Sequence, residues 1–123
     1  MDSNKILIVD DNEINSLFMS IMFSKMGISF DTAQNQKDTL TLLQKNSYKL
    51  ILLDIHMPKE NGYDVARAIR TFDSKTPIVA FTSLPQNAVM VKAMDSGMNE
   101  YIHKSTAISQ MQDMFEKYGI IAA

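Results

Sequence analysis

With 123 residues, a formal charge of −2 and a pI near 5.6, the chain is one domain of common size (1–123) and offers no basic surface for nucleic acid. It has no cysteine, which excludes a disulfide framework, a thiolate zinc site and a cysteine nucleophile. The first apolar run begins by Lys5, leaving no room for a signal peptide, and no run approaches the roughly 18 residues of a membrane span. These features predict a cytoplasmic domain without membrane insertion, alone or as part of something larger.

Strand-like runs alternate with helix-like stretches from Lys5 to Tyr118, the pattern of βα units around a parallel sheet. A first strand at 5–9 leads through Asp10-Asp11-Asn12-Glu13 into a helix over 12–26, closed by Gly27. On that helix Asn15, Phe18, Met19, Met22, Phe23 and Met26 fall within an arc of about 140° and are expected on the sheet. Ile14, Leu17 and Ile21 lie outside the arc. They either pack on the neighbouring fifth helix or form an exposed apolar strip for a partner, and the second reading is preferred. A second strand at 28–33 alternates in polarity, as an edge strand does, and precedes a helix at 36–46.

The third strand, 48–53, is a continuous apolar run ending at Asp54. The loop Met57-Pro-Lys-Glu-Asn-Gly62 then interrupts regular structure, because Pro58 lacks a donor and Gly62 invites a turn. It should wall the region beside Asp54. A helix at 63–72, a strand at 77–82, a helix at 86–96 before Gly97, a strand at 99–102 and a helix at 106–118 complete the chain. The last helix aligns Ile108, Met111, Phe115 and Tyr118 on one face. Ten methionines are mostly core filler, though Met also suits adaptable binding surfaces.

Each apolar run ends in a residue able to touch a phosphate or a metal: Asp10 with Asp11, Asp54, Thr82, and Lys104 after the last strand. The carboxyl edge of an open parallel sheet is where ligands bind. Asp10 and Asp11 have two readings. Acids suit a helix start, and Asp10 with Glu13 has capping-box spacing. Alternatively the pair faces Asp54, and three crowded carboxylates call for a hard cation such as Mg²⁺, with Mn²⁺ as the substitute. Asp54 could be a metal ligand alone or also a nucleophile toward phosphorus, with Lys104 spreading the charge. Thr82 could donate to a phosphoryl oxygen, and the small Ser83 leaves access open. His56 contributes by its backbone carbonyl more than its ring, His103 is read as a plain residue of the last strand, and Tyr101 is either core or a ring with two positions.

Taken together, Val9-Asp10-Asp11, Leu53-Asp54-Ile-His-Met-Pro58 with Gly62, Phe81-Thr82-Ser83, and Tyr101 with Lys104 resemble the receiver domain of two-component response regulators, in the style of hybrid histidine kinases. The resemblance covers essentially the whole chain. It implies a flavodoxin-like α/β sandwich with five parallel strands in the order 2-1-3-4-5. It also implies that Asp54 accepts phosphoryl from a histidine kinase or histidine phosphotransfer domain. Asp11, Asp54 and the His56 carbonyl would hold Mg²⁺, with Asp10 acting through water. Lys104 would pair with the phosphoryl oxygens while Thr82 moves toward them and Tyr101 turns inward, reshaping the surface of helix four, strand five and helix five. A phosphorylation-dependent homodimer is a further expectation, and the only chemistry implied is the domain's own phosphorylation and dephosphorylation. Ser105 stands where the family usually has proline, so the loop is either trans and reshaped or strained. Two other classes compete. An aspartyl phosphatase would carry a second Asp where His56 stands, and a degenerate interaction-only receiver would lack part of the acidic set.

Overall fold

Three unbroken aliphatic runs form the centre of the sheet. In a computed structural model, which describes residues 5–106 and 108–121, β1 (Ile6–Val9), β3 (Leu50–Leu53) and β4 (Ile78–Thr82) are buried at every position. β2 (Phe30–Ala33) and β5 (Glu100–His103) are the edges, and the parallel order is β2-β1-β3-β4-β5. Five helices cover the two faces: α1 (Glu13–Lys25), α2 (Gln36–Lys45), α3 (Gly62–Arg70), α4 (Gln86–Asp95) and α5 (Ile108–Lys117).

Because successive strand residues point to opposite faces, each central strand feeds two cores. Ile6, Ile8, Leu50, Leu52, Val79 and Phe81 pack with Met19 and Phe23 of α1 and with Met111 and Phe115 of α5. Leu7, Val9, Ile51, Leu53, Ile78 and Ala80 pack with Val65, Ile69, Val89 and Ala93 of α3 and α4. Phe23 meets Phe30 and Phe115 edge-on, at centroid distances of 6.1 and 5.4 Å, so one ring pins α1 to both β2 and α5.

Where the elements differ from expectation, the causes are local. β2 and β3 begin two residues later than the apolar pattern suggests. Ile28 and Tyr48 are buried by packing rather than laddered, and the Tyr48 hydroxyl donates to Asp31 at 2.6 Å. β5 is displaced by one residue: Asn99 donates its amide to the Ile78 carbonyl at 2.8 Å, but the Ile78 amide is taken by the Asn99 side chain at 2.9 Å, and the ladder starts at Glu100. The expected start of α5 at 106 is not realised: the Thr106 amide closes a turn onto the His103 carbonyl (2.9 Å), and position 107 lies outside the described residues. Ile108, expected on the packed face of that helix, is half exposed.

Phe18 is a correction to the expected packing of α1. It is 67 % exposed, not on the sheet. It stands at the rim of the apolar arc, about 120° from the midpoint of the buried Met19 and Phe23 by helical geometry. Phe18 therefore joins Ile14, Leu17 and Ile21, which are exposed at 79, 62 and 51 %, in one apolar strip. Gly27 and Gly97 take φ values of +74° and +101° just past α1 and α4, the left-handed conformation that glycine adopts at least cost.

Candidate functional site

The acids arrive at one edge because β1 and β3 are neighbours in register, Val9 opposite Leu53, and each strand ends in an aspartate. Asp10 and Asp54 are almost completely buried, while Asp11 is partly exposed. Carboxylate oxygens of Asp10, Asp11 and Asp54 lie within 4.8 Å of one another. Lys104, delivered by β5, reaches across with Nζ 3.0 Å from Asp10 Oδ2 and 3.2 Å from Asp54 Oδ2. The Lys104–Ser105 peptide bond is trans, and this loop still brings the ammonium to the acids.

Asp10 is not the helix cap. Asn12 caps α1, accepting from the Asn15 amide at 3.0 Å. Both oxygens of Asp10 are otherwise engaged, Oδ1 by the Asn12 amide at 2.9 Å and Oδ2 by Lys104. Asp54 Oδ1 accepts from the His56 amide at 3.2 Å. The His56 ring points to solvent, and a short antiparallel bridge to Asn61 pins the chain there.

Charge at this edge is unbalanced, with three carboxylates against one ammonium. Burial is the largest influence on Asp54 and pushes its carboxyl above the ordinary range. Lys104 pulls it back, and Asp10 adds a further upward push. For Lys104, burial alone would lower the ammonium, but its bond to Asp10 and the charges of Asp54 and Asp10 outweigh this and raise it. A set of hard oxygen donors carrying more negative than positive charge fits a divalent cation such as Mg²⁺.

Thr82 ends β4 fully buried, its hydroxyl accepting from the Leu84 amide at 3.2 Å and its carbonyl accepting from the Lys104 amide at 2.9 Å. Ser83 is exposed beside it. Tyr101 is half-buried against the α3–α4 core and donates to the Leu84 carbonyl at 2.5 Å. Among the expected residues, Lys104 bonds Asp10 and Asp54 directly, and a carboxylate oxygen of Asp11 lies within 4.8 Å of theirs. Thr82, Ser83 and Tyr101 line the adjoining β4–α4 loop, and Ile14, Leu17 and Ile21 stand on the neighbouring helix.

The loop after β3 walls the site as expected. Asp11, Lys37, Met57, Pro58, Lys59 and Glu60 line a cleft of about 570 Å³. Glu60, not foreseen as a contributor, accepts from the Gln36 amide at 2.6 Å and ties this wall to the start of α2. An acid near a helix start was the available signal, but its helix is distant in sequence. On the other side Phe18, Met22, Phe81, Lys104, Ser105 and Ile108 line a groove of about 280 Å³ between α1 and α5.

Comparison with known proteins agrees with this geometry. Hybrid signal transduction histidine kinase G of Dictyostelium discoideum is 34 % identical over 122 residues, covering 95 % of this chain; the chain spans 4 % of that kinase. The crystal structure of a two-component response regulator from Clostridium difficile matches with a TM-score of 0.85 at 26 % identity, over 94 % of this chain and 95 % of that one. The receiver domain of Ssk1 from Saccharomyces cerevisiae, solved with the histidine phosphotransfer signaling protein Ypd1, matches with a TM-score of 0.82 at 26 % identity, over 94 % and 88 % of the two chains. Since residues 6–116 also match the response regulator receiver domain family, the chain belongs to the receiver domains of two-component signalling.

Proposed function

We propose that Asp54 is the phosphoacceptor of this receiver and takes its phosphoryl group from a phosphohistidine. The observation that carries this reading is the placement of Asp54, buried at a strand end with Lys104 3.2 Å away and two further carboxylates close by. An Asp54 oxygen attacks phosphorus, the P–N bond breaks, and its electron pair leaves with the imidazole nitrogen. The product is an acyl phosphate carrying about two charges. Lys104 aligns the incoming oxygens and offsets their charge, and the Thr82 hydroxyl turns from Leu84 to donate to one of them. Tyr101 and the β4–α4 loop follow, carrying the change to the face of α4, β5 and α5, where Val91 and Met94 are exposed. In dephosphorylation water attacks phosphorus, the P–O bond to Asp54 breaks, and inorganic phosphate leaves with the carboxylate restored; a homodimer that depends on phosphorylation is the expected readout of the phosphorylated state.

Asp11, Asp54 and the His56 carbonyl would hold Mg²⁺ or Mn²⁺, and Asp10 would act through water. When bound, the ion supplies charge neutralisation for the phosphoryl oxygens. Asp11 makes no hydrogen bond or ion pair among the described residues, whereas both oxygens of Asp10 are occupied. Asp11→Ala should therefore weaken Mg²⁺ binding more than Asp10→Ala, by about tenfold or more, since second-sphere groups typically contribute less than direct ligands. Mg²⁺ titration followed at the strand-end amides by NMR ranks them, and equal affinity of wild type and Asp11→Ala contradicts the assignment.

The partner reading is a histidine phosphotransfer domain seated on α1. It is supported by the exposed strip of Ile14, Leu17, Phe18 and Ile21 beside the acids and by the yeast receiver captured with such a protein. Leu17→Ala combined with Ile21→Ala should slow transfer from a phosphorylated histidine phosphotransfer protein by about tenfold, the usual scale for removing interface anchors. Acetyl phosphate labelling and melting temperature should stay near wild type. If both donors slow together, the strip does not serve docking. No helix among the described residues is long and apolar enough to cross a membrane.

A further inference from the structure

Two side chains of β5 reach back to the loop that follows β4. Tyr101 and His103 are two residues apart and face the same side of the strand. Tyr101 bonds the Leu84 carbonyl, and His103 Nε2 lies 2.9 Å from the Ser83 carbonyl. The other ring nitrogen, Nδ1, lies 3.0 Å from the Ser105 backbone nitrogen and 2.7 Å from Ser105 Oγ.

These partners settle the tautomer. A backbone N–H can only donate, so Nδ1 carries no hydrogen and accepts. A carbonyl can only accept, so Nε2 carries the hydrogen and donates. The imidazole is neutral with both nitrogens committed, one to the loop after β4 and the other to the loop after β5. The bond from Ser105 N–H to a side chain two residues earlier is the geometry of an Asx turn, with imidazole in place of a carboxamide. A proline at 105 would have no such donor.

What the two loops carry gives this bridge its meaning. Thr82 precedes Ser83, and Lys104 lies between His103 and Ser105. The β4–β5 ladder ends with Thr82 opposite His103, closed by the bond from Lys104 N to Thr82 O. The imidazole continues the connection where backbone pairing stops.

We propose that His103, as the neutral Nε2–H imidazole, is a positioning residue that fixes the Lys104 loop against Thr82 and Ser83 and so holds the Lys104 ammonium at Asp54. This rests on the phosphoacceptor reading. Misplacing a charged group by a fraction of an ångström is enough to slow a reaction whose catalysis is alignment and electrostatics.

The test combines ring NMR with kinetics. Long-range proton–nitrogen correlation on the intact domain should find His103 Nε2 protonated and Nδ1 bare, and the opposite tautomer overturns the proposal. With acetyl phosphate and saturating Mg²⁺, His103→Ala and His103→Phe should both label about fivefold more slowly, the effect of about one net hydrogen bond, with the fold retained and the melting temperature lowered by no more than the few degrees that such a bond contributes. His103→Asn, whose carbonyl can still accept from Ser105, should recover part of the rate. Wild-type rate in His103→Phe would mean that ring packing alone matters, and the positioning role would be lost. If the wild-type protein takes no label at all, the phosphoacceptor reading fails instead. The bridge is then judged by amide exchange at Lys104 and Ser105, which His103→Phe should accelerate and which, if unchanged, overturns it.

Discussion

Asp54→Asn is expected to abolish covalent labelling by acetyl phosphate and Mg²⁺, a fall of at least about three orders of magnitude, as for removal of a nucleophile that works within a cluster. The amide keeps the shape of the side chain, so Lys104, the β4–α4 loop and the fold stay in place while the attacking oxygen loses its charge. Intact-mass spectrometry should show one added phosphoryl group on wild type, labile to base, and none on the variant. Undiminished labelling of Asp54→Asn would remove Asp54 from the mechanism. The same variant carries a second expectation of opposite sign. Burial holds the Asp54 carboxyl above its ordinary range, so the folded domain binds that proton more tightly than the unfolded chain does. Ionisation of Asp54 therefore costs stability. The cost is complete above the raised value and disappears as pH falls below the unfolded one. Without metal at neutral pH, Asp54→Asn should melt a few degrees above wild type by calorimetry, and this gap should close in acid.

Gly62→Ala is expected to cost about 3 kcal/mol or more, at the upper end for inserting a methyl into packed structure. A Cβ at Gly62 would stand 2.4 Å from the Asp54 carbonyl oxygen and 2.7 Å from Ile55 Cα, both backbone atoms that cannot swing aside. The start of α3 is drawn this close by the bond from the Gly62 amide to the Ile55 carbonyl at 3.0 Å. Relief of the clash must move either α3 or the segment bearing Asp54, so labelling should slow along with the loss of stability. Urea unfolding measures the first and acetyl phosphate labelling the second. Gly27→Ala is the comparison: a Cβ there meets nothing within 4 Å, and only the left-handed φ opposes it, at about 1 to 2 kcal/mol. If the two variants are equally stable, the close approach at Gly62 is not what demands glycine.

The parts of this domain that depend on local pattern are legible in the amino-acid order. The runs Ile6–Val9, Leu50–Leu53 and Ile78–Thr82 announce buried central strands, and a polar residue at the end of each announces the site. The features that escape local reading are those decided between distant segments. Burial of Ile28 and Tyr48 mimics strand pairing because both processes select apolar residues. Phe18 sits at the rim of an arc whose usable width is set by how closely α1 approaches the sheet. Asn12, not Asp10, caps α1, because Lys104 claims Asp10 from ninety-four positions away. His103 looks like an ordinary strand residue until the neighbouring carbonyl of Ser83 is known. The acids and Lys104 were readable since each follows its own strand directly. Their mutual distances depend on strand order, which the family resemblance supplied.

The two cores have a consequence for how such a domain can change over generations. The exposed strip of α1 is anchored through Met19 and Phe23 on one side of the sheet, whereas Leu84, Val89 and Tyr101 belong to the other. Five strands stand between them as a partition. On the proposed reading, substitutions in the strip that selects a partner leave the packing of Leu84, Val89 and Tyr101 untouched, and α5, which packs with α1 yet belongs to the responding face, is the element where specificity and response are inherited together.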